Sequence, residues 1–156
     1  EVCLGFDPDK KTKSCWPFVR HMMKKILLTF GALLTLFACG GVVEVTPELR
    51  EAADGYLTLL DRGQNEEVWH RSATIFKESV TLDAWIKQVE RLKKPLGKAK
   101  TRMQRDAIGQ QDPANHPPGE YVMMNFETGF ENDEVLETLV LFRQDQKWLL
   151  AGYFLK

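Results

Sequence analysis

The sequence predicts an α+β domain in which three helices precede a curved four-stranded antiparallel sheet and pack on one of its faces. Up to Lys94, apolar residues recur every three or four positions, which is the period of an amphipathic helix. Beyond Gly97 the period changes to two, which is the period of a strand. The last two strands are apolar on both faces, so helices on one side cannot cover them completely.

Each predicted helix has a recognisable beginning or end. Thr46-Pro47-Glu48 supplies a cap, a proline at the first helical position and an acid near the positive end of the helix dipole. Gly63 ends this first helix. The second helix begins at Asn65 and carries a single apolar stripe of Trp69, Ala73, Phe76 and Val80. The third begins after Thr81 and ends at Pro95.

Four strands are predicted at residues 98–104, 120–130, 134–143 and 147–155. A long loop with three prolines, residues 109–119, separates the first two. In the last strand, alternation predicts one row of side chains against the helices and a second row on the opposite face. The first row is Trp148, Leu150 and Phe154, and the second is Leu149, Ala151, Tyr153 and Leu155.

That second apolar row predicts an interface. A row of this size exceeds the apolar patch that soluble monomers usually expose. A homodimer through the sheet would cover it, because a two-fold axis presents the same surface to both copies. The alternative is strong curvature, with the row closing around an internal cavity.

Residues 22–38 have the parts of a secretory signal peptide. Met22-Met23-Lys24-Lys25 places two positive charges after a start residue, and residues 26–38 carry no charge. The apolar run is short for a spanning helix, which needs about 20 residues. Leu36-Phe37-Ala38-Cys39-Gly40 resembles a lipobox, in which the cysteine is lipidated and becomes the new N-terminus. An uncleaved signal anchor is the alternative.

The predicted signal peptide and lipobox also divide the chain into segments. Residues 1–21 have no helical or strand period and are interpreted as sequence upstream of a true start at Met22 or Met23, with a cytoplasmic extension as the alternative. Residues 39–45 are expected to be a tether, and residues 46–156 the folded domain. Gly40 after the cysteine, in place of Asp, resembles the sorting pattern of outer-membrane lipoproteins.

Composition excludes several classes of function. Residues 39–156 hold 15 Lys and Arg against 19 Asp and Glu, a net charge of −4, so nucleic acid is not an expected partner. Cys39 is the only cysteine of this span, which excludes a disulfide, a thiol nucleophile and a thiolate metal site in the folded domain. His70 and His116 are far apart, so no metal site and no cofactor are predicted.

Short segments spread over residues 51–156 carry a family resemblance. They are Ala52-Ala53-Asp54-Gly55-Tyr56-Leu57, Leu60-Asp61-Arg62-Gly63, Trp69, Phe76-Lys77, Trp85, Pro95-Leu96-Gly97, Arg102, Pro118-Gly119-Glu120-Tyr121, Phe126-Glu127-Thr128, Glu137-Thr138-Leu139 and Trp148-Leu149-Leu150-Ala151-Gly152-Tyr153-Phe154. As an ordered set they resemble the DUF4019 family, small exported or lipid-anchored bacterial domains of undefined activity. The order of helices and sheet is also similar to cone-shaped NTF2-like folds, in which a curved sheet often leaves a cavity. The resemblance implies a fold and a location but no mechanism.

Two carboxylates are the candidates for chemistry. Glu127 and Glu137 interrupt apolar strands, and a hairpin centred on Asn132-Asp133 is expected to bring them close. Two carboxylates in an apolar cup would raise one pKa and suit general acid–base catalysis. The alternative is structural: they line an exposed face of the sheet or pair with Arg102 and Arg143 on neighbouring strands.

A basic segment offers a second candidate surface. Alternation gathers Lys98, Lys100 and Arg102 on one side of the first strand, where they would contact anionic lipid headgroups or cell-wall polymer. The alternative is a solvated edge strand, on which lysines discourage aggregation.

The sequence therefore favours a lipid-anchored, non-enzymatic binding or assembly module with an envelope protein partner. Six aromatic residues are expected to build its core or a small apolar pocket: Tyr56, Trp69, Phe76, Trp85, Phe126 and Trp148. The alternative function is a small enzyme that uses Glu127 and Glu137 in that pocket.

Overall fold

The computed structural model describes residues 40–156. The helices are α1 (Pro47–Asp61), α2 (Asn65–Arg71), α3 (Thr74–Ser79) and α4 (Leu82–Lys93). The strands are β1 (Gly41–Val42), β2 (Ala99–Gln111), β3 (Glu120–Phe130), β4 (Glu134–Gln144) and β5 (Lys147–Leu155). The predicted α+β class is confirmed, but this part of the chain has four helices and five strands where three and four were expected. The predicted signal peptide, Cys39 and residues 1–21 lie outside the described residues.

The five strands form one antiparallel sheet in the order β1-β2-β3-β4-β5. β1 is the unexpected strand, since it lies within the predicted tether. Gly41 pairs with Gly109 and Val42 with Ile108, and the Val43 amide donates to the carbonyl of Ala107 at 2.9 Å. Residues 40–45 are therefore part of the fold and not a loose connection.

The second predicted helix is divided into α2 and α3. Ser72 and Ala73 have extended backbones, with ψ values of 161° and 153°. The amide of Ala73 donates to the carbonyl of Leu150 at 2.9 Å, so the break lets the helical segment bond to edge strand β5. Within α2, Val68 is fully buried, whereas Trp69 of the predicted apolar stripe is partly exposed.

A bulge in β5 overturns the predicted alternation of that strand. Val140 pairs with Gly152 and Leu141 with Leu150, which leaves Ala151 as an extra residue. An extra residue shifts every later side chain to the other face. Tyr153 therefore packs in the main core with Leu150, and Phe154 packs on the opposite face.

The main core lies between the helices and the sheet, and a second, smaller cluster lies on the other face. The second cluster contains Ala73, Tyr121, Val140, Phe142, Ala151 and Phe154. The loop after β2 approaches this face, because the Tyr121 hydroxyl donates to the carbonyl of Pro117 at 2.9 Å. Part of the second apolar row is thus buried within one chain.

The helices that the structure describes are all too short or too polar to cross a lipid bilayer.

Candidate functional site

Glu137 is a fully buried carboxylate in the middle of β4. Its Oε2 accepts hydrogen bonds from Arg102 Nε and from Thr128 Oγ1, each at 2.8 Å. Its Oε1 accepts a hydrogen bond from the Tyr153 hydroxyl at 2.6 Å. Both oxygens are therefore occupied by donors of the protein itself, which compensates the cost of burying the charge.

Four adjacent strands supply these side chains. Arg102 comes from β2, Thr128 from β3, Glu137 from β4 and Tyr153 from β5. Arg102 lies directly opposite Thr128 in the β2–β3 register, so the two share the helix-facing side of the sheet. Tyr153 reaches this side only because the bulge at Ala151 shifts the phase of β5. The irregularity of the strand thus completes the set of donors.

Two helices extend the cluster. Asp61, the last residue of α1, accepts hydrogen bonds from Arg102 Nη1 at 2.9 Å and from Nη2 at 3.0 Å. Lys93, the last residue of α4, donates to Asp61 at 3.0 Å. The Glu137 cluster, defined as Asp61, Lys93, Arg102, Thr128, Glu137 and Tyr153, therefore joins the sheet to the ends of two helices. Its two acids and two bases balance in charge.

The pKa values of three groups respond to this arrangement. Burial on its own would raise the pKa of Asp61, but hydrogen bonds from Arg102 and Lys93 outweigh it and lower that pKa. Burial would likewise lower the pKa of Arg102, which Asp61 and Glu137 instead raise above its usual value. Burial and the charge of Glu137 raise the pKa of Tyr153 well above 10.0. Asp61 and Arg102 are therefore held charged, and Tyr153 is held neutral.

Glu127 does not join Glu137, and the expected carboxylate pair is wrong on geometric grounds. Glu137 pairs with Phe126, whereas Glu127 pairs with Leu136, so the two carboxylates point to opposite faces of the sheet. Glu127 forms an ion pair with Arg105 on a partly exposed surface. The structural alternative holds for Glu137, which pairs with Arg102, while Arg143 pairs with Glu120.

Four of the six aromatic residues lie in the hydrophobic core, and the other two lie at its margin. Tyr56, Phe76, Trp85 and Phe126 are buried in the main core. The Trp85 ring meets the Phe76 ring edge-on, with centroids 5.1 Å apart, and its indole N–H donates to the carbonyl of Asn65 at 2.8 Å. Trp69 and Trp148 are partly buried at the margin of this core.

A family profile described as "Protein of unknown function (DUF4019)" matches residues 52–153. The chain belongs to the DUF4019 family. No curated protein and no solved structure matches it. The DUF4019 region contains every residue of the Glu137 cluster.

Sequence reasoning found part of that cluster. Glu137 is detectable as a lone acid in an apolar strand, and Arg102 was a correct candidate for its partner, although the two lie on β2 and β4 with β3 between them and not on neighbouring strands. Asp61 was missed because its contact with Arg102 joins the end of α1 to β2, and strand alternation does not show which helix end packs on the sheet. Tyr153 was missed because the bulge is invisible to a count of alternating residues.

The predicted basic surface of the DUF4019 domain is divided. Lys98 and Lys100 are exposed, but Arg102 turns inward to Asp61 and Glu137. Arg102 is therefore not available to an anionic polymer or lipid. Among residues 40–156, no group of three or more His, Cys, Asp or Glu side chains is placed to hold a metal ion.

A surface cleft of about 290 Å³ lies where the N-terminal segment crosses the sheet. We call it the N-terminal cleft. Its lining is Val43, Glu44, Thr46, Glu48, Leu49, Gly109, Gln110, Gln111, Glu120, Val122, Arg143 and Trp148. The Arg143 guanidinium lies 5.5 Å from the centre of the Trp148 ring and 3.4 Å from Glu120. The cleft thus combines an apolar floor with charged side chains at its rim.

Proposed function

We propose that this DUF4019 protein is an exported lipoprotein, acylated at Cys39 and held on the periplasmic side of the outer membrane, where its domain acts as a non-enzymatic binding or assembly module. We also propose that the sheet curves in the manner of an NTF2-like cone. Its bulges support this, since each one increases the local twist of a sheet.

The observation that supports a non-enzymatic function is that both carboxylate oxygens of Glu137 already accept hydrogen bonds from the protein. A general base needs a lone pair directed at a substrate proton within hydrogen-bonding distance. Both oxygens of Glu137 instead accept from Arg102, Thr128 and Tyr153, and the side chain has no exposure to solvent. The alternative enzyme lacks support, because Glu127 lies on the other face of the sheet.

We assign the N-terminal cleft to the partner. Its floor includes the buried side chains of Leu49 and Val122, and Trp148 forms part of its wall. Three carboxylates, those of Glu44, Glu48 and Glu120, outnumber the one cation of the lining, Arg143. This combination suits a segment of an envelope protein that carries an apolar residue beside a basic one.

Two experiments test the proposal. Labelled palmitate should enter the wild type and not Cys39→Ser, because the thiol is the acceptor. Label in the variant, or none in the wild type, would contradict the proposed location.

The binding role is tested by photo-crosslinking in cells, with benzoylphenylalanine in place of Glu48 or, as a control, in place of exposed Lys100. We expect one discrete adduct from position 48. Glu120→Lys should weaken it, and Glu78→Lys, the same charge change on exposed α3 surface, should not. Equal adducts from both positions, or equal effects of both charge changes, would reject the cleft as the binding surface.

A further inference from the structure

The N-terminal segment of the domain is built into the sheet immediately after Gly40. Gly41 and Val42 pair with β2, and Val43 and Val45 pack against the main core. Thr46 then caps α1 by accepting a hydrogen bond from the amide of Leu49 at 3.3 Å. Five of the six residues from 41 to 46, all but the exposed Glu44, therefore pair, pack or form a cap within the domain. Only Gly40 separates Cys39 from this engaged segment.

Gly109 is required for the segment to lie this close. A Cβ at Gly109 would be 2.5 Å from Cγ1 of Val43, a separation that real Cβ atoms essentially never show. Val43 is β-branched and its side chain has little rotational freedom to move aside. Gly109 is thus the point at which the segment is fixed to β2.

The direction of the pairing determines which end of the sheet lies nearest to Gly40, the residue that follows Cys39 in the sequence. Because β1 and β2 are antiparallel, Gly40 lies at the end of β2 that carries Gln110 and Gln111. Lys98 and Lys100 lie at the opposite end. A strand rises about 3.3 Å per residue, so Lys100 is roughly 30 Å from Gly109 along β2.

The side chain of Val42 is an exposed apolar group at this end of the sheet. It is 82% exposed, the most exposed large apolar side chain among residues 40–156. It lies at the end of the sheet that is nearest to Gly40. An apolar side chain at this position is suited to the boundary between lipid headgroups and acyl chains.

We propose that the acylated domain is held in one orientation, with Val42 against the membrane surface, the N-terminal cleft beside that contact and open to its partner, and Lys98 and Lys100 directed away from the membrane. The proposal rests on acylation of Cys39, as proposed above. Contact is made by the acyl chains and Val42, and does not depend on basic residues. Neutral phosphatidylcholine is therefore a sufficient partner surface, and Lys98 and Lys100 are free to face the cell wall.

The test uses the lipidated protein, purified from cells and reconstituted in phosphatidylcholine vesicles that contain a gadolinium-chelating lipid. A nitroxide label is placed at Gln111→Cys or at Lys100→Cys. Both side chains are exposed and both lie on β2, so they form a matched pair. The thioether occupies Cys39, which leaves the introduced cysteine as the only free thiol of the processed chain. We expect the headgroup gadolinium to increase the relaxation rate of the label at 111 several-fold more than that at 100.

Two variants of the attachment serve as controls. A flexible insertion of Gly and Ser residues between Cys39 and Gly40, and separately Gly109→Val, should each abolish the difference between the two labels while acylation continues. Equal relaxation in the wild-type attachment, a larger effect at position 100, or a difference that survives the insertion would each overturn the orientation. Loss of palmitate labelling would instead overturn the proposed function and the orientation together, so the two failures are distinguishable.

Discussion

Glu137 carries a buried charge that is stabilised only as long as its three donors remain in place. Glu137→Gln removes the charge and breaks its ion pair with Arg102, which keeps only the partly exposed Asp61 as a counterion. Breaking a buried pair at one partner costs roughly 3–5 kcal/mol. We expect a loss of this size in the free energy of unfolding, measured by urea denaturation.

Glu127→Gln is the matched control for that substitution. It makes the same chemical change on the adjacent strand β3, but on the opposite face of the sheet. The ion pair of Glu127 with Arg105 is partly exposed, and exposed pairs contribute about 1 kcal/mol or less. Equal losses for the two variants would show that Glu137 is not buried in solution.

The raised pKa of Tyr153 predicts that the folded protein loses stability at alkaline pH. This pKa is raised in the folded state by burial and by the charge of Glu137, so folding favours the neutral phenol. The stability that Tyr153 contributes is full below pH 10.0, the ordinary tyrosine pKa, and is lost as the pH rises through the higher folded value. We expect the free energy of unfolding to fall above that pH, and to fall less steeply in Tyr153→Phe.

Tyr56→Phe is the control, because the pKa of Tyr56 is also raised by burial, but less strongly. The comparison concerns the slope of stability against pH and not its value at neutral pH, where both variants lose a hydrogen bond. A steeper slope in Tyr153→Phe than in Tyr56→Phe would contradict the assignment.

At the scale of elements, two indole hydrogen bonds connect the helices to one another. Trp69 Nε1 donates to the carbonyl of Val80 at 2.9 Å, and Trp85 Nε1 donates to the carbonyl of Asn65 at 2.8 Å. Trp85 is fully buried and Trp69 is not. A buried acceptor left without its donor costs about 1–3 kcal/mol. We expect Trp85→Phe to lower the unfolding free energy by about 3 kcal/mol and Trp69→Phe by about 1 kcal/mol. The reverse order in urea unfolding would mean that the phase of α2 is mistaken.

The predictable elements are those fixed by neighbouring residues. Thr46 and Thr81 cap α1 and α4 as predicted, each through its side-chain oxygen. The bounds of β3 and β5 also agree with the alternation of their side chains. The elements that were missed depend on distant partners. The α2–α3 break exists because Ala73 bonds to Leu150, and the bulge at Ala151 is required by the pairing with β4. Local periodicity contains no information about either contact.

At the scale of the whole molecule, the homodimer through the sheet stays a prediction, and the structure narrows where it would form. Tyr121, Val140, Phe142 and Phe154 are already buried within one chain. Met103, at 59%, and Leu136, at 36%, are the large apolar side chains of β2–β5 that remain exposed. Leu136 pairs with Glu127, which pairs with Met103, so the two share one face of the sheet.

We expect residues 40–156 to dimerise at micromolar concentration through this pair of residues. Met103→Lys combined with Leu136→Lys should then convert the dimer to a monomer in sedimentation velocity. Val42→Lys, which changes an exposed apolar side chain at the other end of the sheet, should leave the dimer intact. A wild-type monomer would reject the prediction.

β1 also determines the order in which the domain assembles and opens. The pairs β2–β3, β3–β4 and β4–β5 join consecutive strands, whereas β1 pairs with β2 across all four helices. The entropy of closing so long a loop favours the hairpins first and places β1 last. Because β1 has two residues and lies at the edge, it is also the first part expected to open. Opening would release residues 40–45, a length of roughly 20 Å when extended. The attachment between Cys39 and the folded domain would then alternate between a short, ordered form and a longer, flexible form.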